Sequence, residues 1–305
     1  MVESTAGNRD FTFGAAMATA VLCLAFGANA PAIRLAIEGF GPLTMGGLRF
    51  SVSAVVIAVW ACAAREPLRL PWPLLRRLLL LSLAFLVQIC LFYLGLARTY
   101  ASRGTLIGNL QPFLVLFLAH FFLEGERVTL RRVLGMTLGF GGVAVLFAEE
   151  GSIVAELRTG DMLVLAAVVI WSGTTVFIKR VIDDYNPFQL SLYPMLVCAP
   201  AMLLAGAIWD DPMIGAVSAR ALGGLAYQAL LTASIGFVAW NSLFKRHGAV
   251  AMNSYLFLQP ISGVALGGLL LGEPVATVGV LLGLPLVVVG IVIVNWRSRT
   301  EGDAH

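Results

Sequence analysis

The sequence predicts an all-α integral membrane fold: ten transmembrane helices arranged as two inverted five-helix repeats. Three observations carry the prediction. The chain is too apolar for a soluble surface, its apolar runs have membrane length, and motifs of its first half return in order in its second. Of 305 residues, 59% are apolar and 12% charged, and the mean hydropathy is +0.90. A soluble domain carries about 25% charge, so most of this surface must face lipid. Twenty basic residues against 17 acidic give a net charge of +3, which is no nucleic-acid footprint. Cys23, Cys62, Cys90 and Cys198 stand singly in apolar runs. They read as small buried hydrophobes and point to neither a disulfide framework nor a metal site.

About 20 apolar residues cross the hydrocarbon core. Charges and turn residues divide the chain into spans at 11–36, 42–64, 73–97, 103–122, 129–148, 160–179, 187–209, 218–242, 248–270 and 276–296. The connections are short and polar, as at Arg65–Trp72, Glu124–Val128, Asp183–Pro187 and Asp210–Gly215. No soluble domain fits between spans. Ala28-Asn29-Ala30 resembles a signal-peptide cleavage site, but Glu3, Arg9 and Asp10 stand where a positive segment should. The first span is therefore expected to remain part of the fold.

Ten spans put both termini on one side. That side collects Arg9, Arg65, Arg69, Arg76, Arg77, Arg127, Arg131, Arg132, Lys179, Arg180, Lys245, Arg246, Arg297 and Arg299. Arg34, Arg49, Arg98, Arg103, Arg158 and Arg220 are the remainder, and Glu149, Glu150, Glu156, Asp161, Asp210 and Asp211 fall opposite. The positive-inside rule places both termini in the cytoplasm. Trp72, Tyr185 and Trp296, near span ends, read as interfacial anchors.

The halves, 1–150 and 151–305, repeat. Phe26-Gly27-Ala28-Asn29, Arg34 and Gly41-Pro42 align with Trp171-Ser172-Gly173-Thr174, Lys179 and Asn186-Pro187 at an offset of 145. Arg98, Ala101 and Leu110-Gln111-Pro112 align with Arg246, Ala249 and Leu258-Gln259-Pro260 at 148, and Gly125-Glu126 with Gly272-Glu273 at 147. Five spans per repeat is odd, so the second copy enters the membrane from the other side. Such inverted repeats suit alternating access, with the site near the midplane.

On these residues the chain resembles the EamA-type branch of the drug/metabolite transporter superfamily across nearly its whole length, and within it the bacterial amino-acid exporters of the YddG type. The resemblance implies a ten-helix basket. The first, third, fourth, sixth, eighth and ninth spans would surround a central cavity, used for export of small metabolites, amino acids including aromatic ones foremost. A carrier of drugs or nucleotide sugars is the alternative, and a channel a more distant one. A nucleotide sugar would want several basic residues in the cavity, where only Arg34, Arg49 and Lys179 are near.

Polar residues at mid-depth supply candidate substrate contacts. Pro112 and Pro260 each remove a helix hydrogen bond and free a carbonyl, of Gly108 and Leu256. Each is either a hinge in a cavity-lining helix or a kink buried between helices. Gln111 and Gln259 precede them, and an amide at that depth is costly unless paired. Tyr255, Gln259 and Ser262 fall at i, i+4 and i+7, one face of the ninth span. Asn109 lies beside Gln111, and Asn29 pairs through the repeat with Thr174, next to Thr175 and one turn after Trp171. Phe85, Gln88 and Phe92 form a face of the third span, with Trp240 and Asn241 their counterpart in the eighth. Each is either packing or ligand contact; together they resemble the lining of a site for a small, partly apolar solute.

Carboxylates are missing from mid-span. Glu126 and Glu273 sit at helix junctions, where capping of the following helix is expected, and His120 near an interface is more readily structural than a proton carrier. A facilitator, or coupling through charge on the substrate, follows. Arg49, several residues inside the second span, is expected to snorkel to the outer interface. Arg34, Lys179, Arg98 and Arg103 either attract a carboxylate or anchor helix ends. Gly135/Gly139 and Gly279/Gly283 have GxxxG spacing, for packing within the chain or a homodimer. HExxH, GxxxxGK[ST] and GxSxG are absent, so no enzyme and no cofactor is expected. The partners are a small-molecule substrate and the lipid bilayer, without nucleic acid.

Overall fold

The computed structural model describes residues 12–96, 98, 104, 107–148, 159–271 and 278–296. Arg9, Ala101, Arg103, Glu149, Glu150, Glu156, Arg158, Gly272, Glu273, Arg297 and Arg299 lie outside the described residues. Helices dominate: α1 (Phe13–Gly27), α2 (Asn29–Ile37), α3 (Pro42–Ala63), α4 (Trp72–Leu96), α5 (Gln111–Phe122), α6 (Leu130–Ala148) and α7 (Thr159–Val181). There follow α8 (Pro187–Trp209), α9 (Ala219–Ala226), a π-helical stretch (Tyr227–Gly236), α10 (Phe237–Arg246), α11 (Ala249–Ser254), a 3-10 turn (Tyr255–Phe257), α12 (Leu258–Leu271) and α13 (Val278–Asn295).

Among the described residues six helical segments are long and apolar enough to cross a membrane: Phe13–Ile37, Pro42–Ala63, Trp72–Gly95, Thr159–Asp184, Pro187–Trp209 and Ala219–Arg246. Their outer faces carry large apolar side chains, including Val55, Leu80, Leu204 and Ile208, each more than 60% exposed. Water would not tolerate so wide an apolar surface; lipid does. Trp72 and Trp296 are exposed as anchors should be. Tyr185 is not: it is buried, and its hydroxyl donates to the Leu74 carbonyl at 2.9 Å. It closes the 3-10 turn Ile182–Asp184 and packs in the buried apolar core with Leu78 and Ile182.

The packing comes in matched pairs. Helix α3 lies along α8, and α6 along α13. Helix α4 packs on α7 and α9 on α2, and α5 meets α7 as α12 meets α1, each contact joining the two halves of the chain. Small residues make the α6–α13 contact close. A Cβ on Gly290 would stand 2.5 Å from the Gly135 carbonyl oxygen, and one on Gly135 2.7 Å from that of Gly290. Glycines of both expected pairs are thus used inside the chain: Gly135 and Gly139 meet Gly290, and a Cβ on Gly142 would stand 2.6 Å from the Gly283 carbonyl oxygen.

The α3–α8 pair is fastened at both ends by side chains of the partner helix. The Asp210 carboxylate, at the end of α8, accepts from the Thr44 amide at 2.7 Å and its hydroxyl at 2.8 Å, satisfying donors that a helix start leaves unpaired. At the other end Asn186 and Gln189, opening α8, donate to the Pro67 carbonyl at 2.9 and 2.8 Å. Asp210→Ala is expected to cost about 1–2 kcal/mol, as other helix-cap deletions do. Thermal melting of the purified protein reads the loss, and an unchanged midpoint would remove Asp210 from the account of α3.

Candidate functional site

Three apolar segments are interrupted, and the breaks position the polar residues. One is Phe13–Ile37, among the six segments long enough to cross a membrane; the others are the expected fourth and ninth spans, which are not among those six. In the fourth span Ile107 and Gly108 are helical, Asn109 and Leu110 form a turn, and α5 starts at Gln111. In the ninth the 3-10 turn Tyr255–Phe257 separates α11 from α12. Pro112 and Pro260 were expected within continuous helices. Each instead stands in the first turn of a restarted helix, where a missing N–H costs nothing. The first span breaks at Ala28, between α1 and α2. Pro31, the third residue of α2, was the available signal.

The breaks meet neighbouring spans. Gln111, buried, donates through Nε2 to the Thr175 hydroxyl of α7 at 3.4 Å, joining two predicted residues from different helices. On the opposite side the backbone of Gly27 presses on the second break: a Cβ there would overlap both Ser262 Oγ and the Gln259 carbonyl. Only glycine allows that approach. Asn29 opens α2, and its side-chain oxygen accepts from Thr232 in the π-helical stretch at 3.3 Å. From the same stretch the Tyr227 hydroxyl donates to the Ala25 carbonyl at 2.9 Å, and Gln228 Nε2 to that of Ala32 at 3.2 Å. The wide turn of the π-helix therefore covers the broken first span. Sequence reasoning missed Tyr227, Gln228 and Thr232, because a register change of one residue per turn leaves hydropathy untouched.

Other predicted residues go elsewhere. Asn241 turns away and donates to Ser191 of α8 at 3.0 Å. Thr174 spends its hydroxyl on the carbonyls of Ile170 and Trp171 in its own helix, at 2.6 and 3.0 Å. Ser262 bonds the Gln259 carbonyl at 3.1 Å. Tyr255 is buried in the 3-10 turn, whose tighter winding breaks the single face expected for Tyr255, Gln259 and Ser262. Asn109 is buried beside Gln111; Gln259, Trp171 and Phe92 are half-buried. Gln88 is 3% exposed, and its carbonyl oxygen has no hydrogen-bond partner.

Phe85 and Trp240 belong to a chain of rings. Phe50, Phe85, Phe237, Phe26 and Trp240 follow one another at centroid separations of 6.2, 6.3, 6.1 and 6.0 Å, all edge-on. Phe26, the repeat counterpart of Trp171, joins it; Trp171 forms no such ring contact among the described residues. Two pockets lie apart from these residues. One, of about 680 Å³, opens between α1 and α10 beside Phe13, Met17 and Leu243. The other, of about 180 Å³, opens between α5 and α7 beside Leu118, Phe122 and Phe177. None of the predicted site residues lines either of these two pockets.

The charged residues correct two expectations, for Arg49 and Glu126, and choose between the two alternatives for Lys179. Arg49 does not snorkel: it is 7% exposed, with its guanidinium 5.3 Å from the centre of the Phe50 ring. Such burial is tolerated only inside a bundle, since an arginine at depth costs about 2.5–3.5 kcal/mol on insertion scales. Lys179 anchors a helix end, donating to the carbonyls of Phe244 and His247 at 2.6 Å each. Glu126 reaches past the following helix start to the Val250 amide of α11 at 3.4 Å, and pairs with Arg132 of α6 at 2.8 Å. It ties α6 to α11, meeting a first-turn amide of α11 instead of capping the helix that follows it. His120 is exposed and accepts the Val128 amide at 3.5 Å. Among the described residues no three His, Cys, Asp or Glu side chains are grouped as a metal site.

Comparison with known proteins places this geometry. Residues 13–148 and 158–296 each match the EamA-like transporter family. A protein of Escherichia coli named "Probable amino-acid metabolite efflux pump" is 27% identical over 264 residues, 83% of this chain and 85% of that one. A "Probable terminal-alkyne amino-acid exporter" of Streptantibioticus cattleyicolor is 26% identical over 262 residues, 81% and 83% of the two chains. An "S-adenosylmethionine/S-adenosylhomocysteine transporter" of Chlamydia trachomatis is 27% identical over 255 residues, 78% and 76%. A solved structure superposes with a TM-score of 0.81 over 93% of this chain and 98% of that one, at 20% identity, a likeness of fold.

Proposed function

The chain belongs to the EamA-like transporter family, whose members are transporters and not enzymes, and from that premise we propose that it exports amino acids or their metabolites by alternating access. The helix breaks at Asn109–Leu110 and Tyr255–Phe257 carry this reading. Interrupted helices at mid-membrane are where transporters expose backbone and amides to solute, because unpaired backbone is tolerated there only against protein or a cavity. The two breaks fall at equivalent Gln-Pro positions, and each abuts the opening helix of the other half.

The ten-span, two-repeat plan, divided into 1–150 and 151–305, is part of the proposal. The matched pairs α3–α8, α6–α13, α4–α7 with α9–α2, and α5–α7 with α12–α1 support it. So does the family match, which falls once in each half. Both termini then lie in the cytoplasm of a bacterial inner membrane. Gln111, Thr175, Asn29, Gln88, Gln259 and the ring chain would line the path once the halves separate, with Pro112 and Pro260 at the turning points. The bilayer and the solute are its partners; a homodimer would need a face other than the α6–α13 glycines.

Amino acids are the favoured solutes because two relatives are named for amino-acid export. The relative named for S-adenosylmethionine supports a second reading, a larger solute that still carries an amino-acid moiety. Efflux from proteoliposomes loaded with labelled amino acids, and separately with S-adenosylmethionine, tests both. Trp171→Ala is expected to lower the rate severalfold with membrane expression unchanged. Wild-type flux in that variant would return Trp171 to a packing role.

A further inference from the structure

Arg49 is left unexplained by packing alone. It stands in α3 with 7% exposure, and its Nε has no hydrogen-bond partner. The Phe50 ring lies 5.3 Å away, and the Tyr93 phenol of α4 is the polar side chain that faces it. Neither the Arg77–Asp184 nor the Arg132–Glu126 ion pair involves it. A guanidinium cannot shed its proton in a protein. A full positive charge is therefore held inside a spanning helix with a neutral phenol and a ring face for company. Ring quadrupoles offset part of a charge and do not neutralise it, and a buried charge ordinarily has a counter-ion.

The surroundings indicate what the counter-ion is attached to. Phe50 begins the ring chain that runs through Phe85 of α4 and Phe237 of α10 to Phe26 of α1. Phe85, Phe237 and Phe26 are half-buried and come from three different helices, so their edges can separate when the helices move. At the far end Trp240 stacks 6.4 Å from Phe244, whose ring faces Lys179 at 5.4 Å. That ammonium is already spent on two carbonyls. Arg49 is thus the end of the chain with unused donor capacity, and its planar fork suits a carboxylate.

We propose that Arg49 is the carboxylate-binding group of the transport path, with Phe50, Phe85 and Phe237 taking the apolar body of the same solute. The ligand class is an organic acid, zwitterionic amino acids included, with an apolar or aromatic side chain. The solute brings the missing negative charge. The proposal deepens the transporter reading above and rests on it, but binding can be read without transport.

The purified full-length chain in detergent is melted with benzoate, benzamide, L-phenylalanine or phenethylamine at about tenfold saturation. Benzoate and phenylalanine are expected to raise the melting temperature by about 2 °C or more. The uncharged amide and the amine should not. Arg49→Gln abolishes the benzoate shift, and Arg49→Lys keeps the charge and part of the shift. Equal shifts from benzoate and benzamide, or a full benzoate shift in Arg49→Gln, would overturn the assignment. If Arg49→Gln fails to fold, the benzoate–benzamide difference in the wild type and the reduced shift in Arg49→Lys decide. A chain that binds benzoate through Arg49 but carries no amino acid in proteoliposomes refutes the substrate reading and upholds this site. Amino-acid flux unaltered in Arg49→Lys and Arg49→Gln does the reverse.

Discussion

Gly290→Leu is expected to lower the stability of the folded bundle by about 3 kcal/mol or more, the upper end for overpacked sites. Its first side-chain carbon would already stand 2.5 Å from the Gly135 carbonyl oxygen and 2.6 Å from the Gly139 nitrogen. Those are backbone atoms of a packed helix, so relief requires α6 and α13 to part. Lipid offers no hydrophobic driving force to hold them together once close contact is lost. Gly141→Ala on the facing helix α6 is the control, because nothing lies within 4 Å of its added carbon. Melting in detergent should fall for Gly290→Leu and stay level for Gly141→Ala. Equal midpoints would mean that α6–α13 contact is not close in the folded protein.

Replacing Gln111 and Gln259 together with alanine is expected to cut flux at least tenfold while leaving expression near wild type. Gln111 is buried and bonds one weak partner, Thr175, at 3.4 Å. A net contribution of about 0.5–1.5 kcal/mol for a neutral hydrogen bond makes its structural value small. A conserved fold with lost transport would therefore locate the value of these amides in solute contact. Thr175→Val separates the alternatives: it removes the partner and keeps the shape. If Thr175→Val alone reproduces the double variant, the Gln111–Thr175 bond holds the helix break in place and Gln111 acts through it.

Helix ends were legible where caps and charges punctuate the apolar runs. The predicted 187–209 is Pro187–Trp209 in the structure, and 42–64 is Pro42–Ala63; Asn186-Pro187 and Gly41-Pro42 announce both starts. The interior of the rods was less legible. Hydropathy reports whether a residue meets lipid, not how tightly the backbone is wound there. The π-helical Tyr227–Gly236 and the 3-10 Tyr255–Phe257 therefore passed as ordinary helix.

The candidate site was half visible for the same reason. Gln111 and Thr175 were named from depth and spacing and do meet. Asn241 and Thr174 were named on the same grounds, yet their hydrogen bonds go to Ser191 and to their own helix. A period identifies a face but not which neighbour it presents. Arg49 was conspicuous as a lone cation in an apolar span. Whether it reached the interface or turned inward depended on Phe50 and Tyr93, contacts that sequence spacing does not reveal.

Amino acids are proposed to pass this transporter through the broken helices of its two halves. Efflux of a labelled amino-acid panel from proteoliposomes, comparing wild type with the Gln111→Ala/Gln259→Ala pair, tests this proposal most directly. The account predicts saturable efflux of at least one apolar or aromatic amino acid in the wild type, reduced tenfold or more in the folded double variant. No flux of any amino acid in the wild type, or equal flux in both proteins, would contradict it.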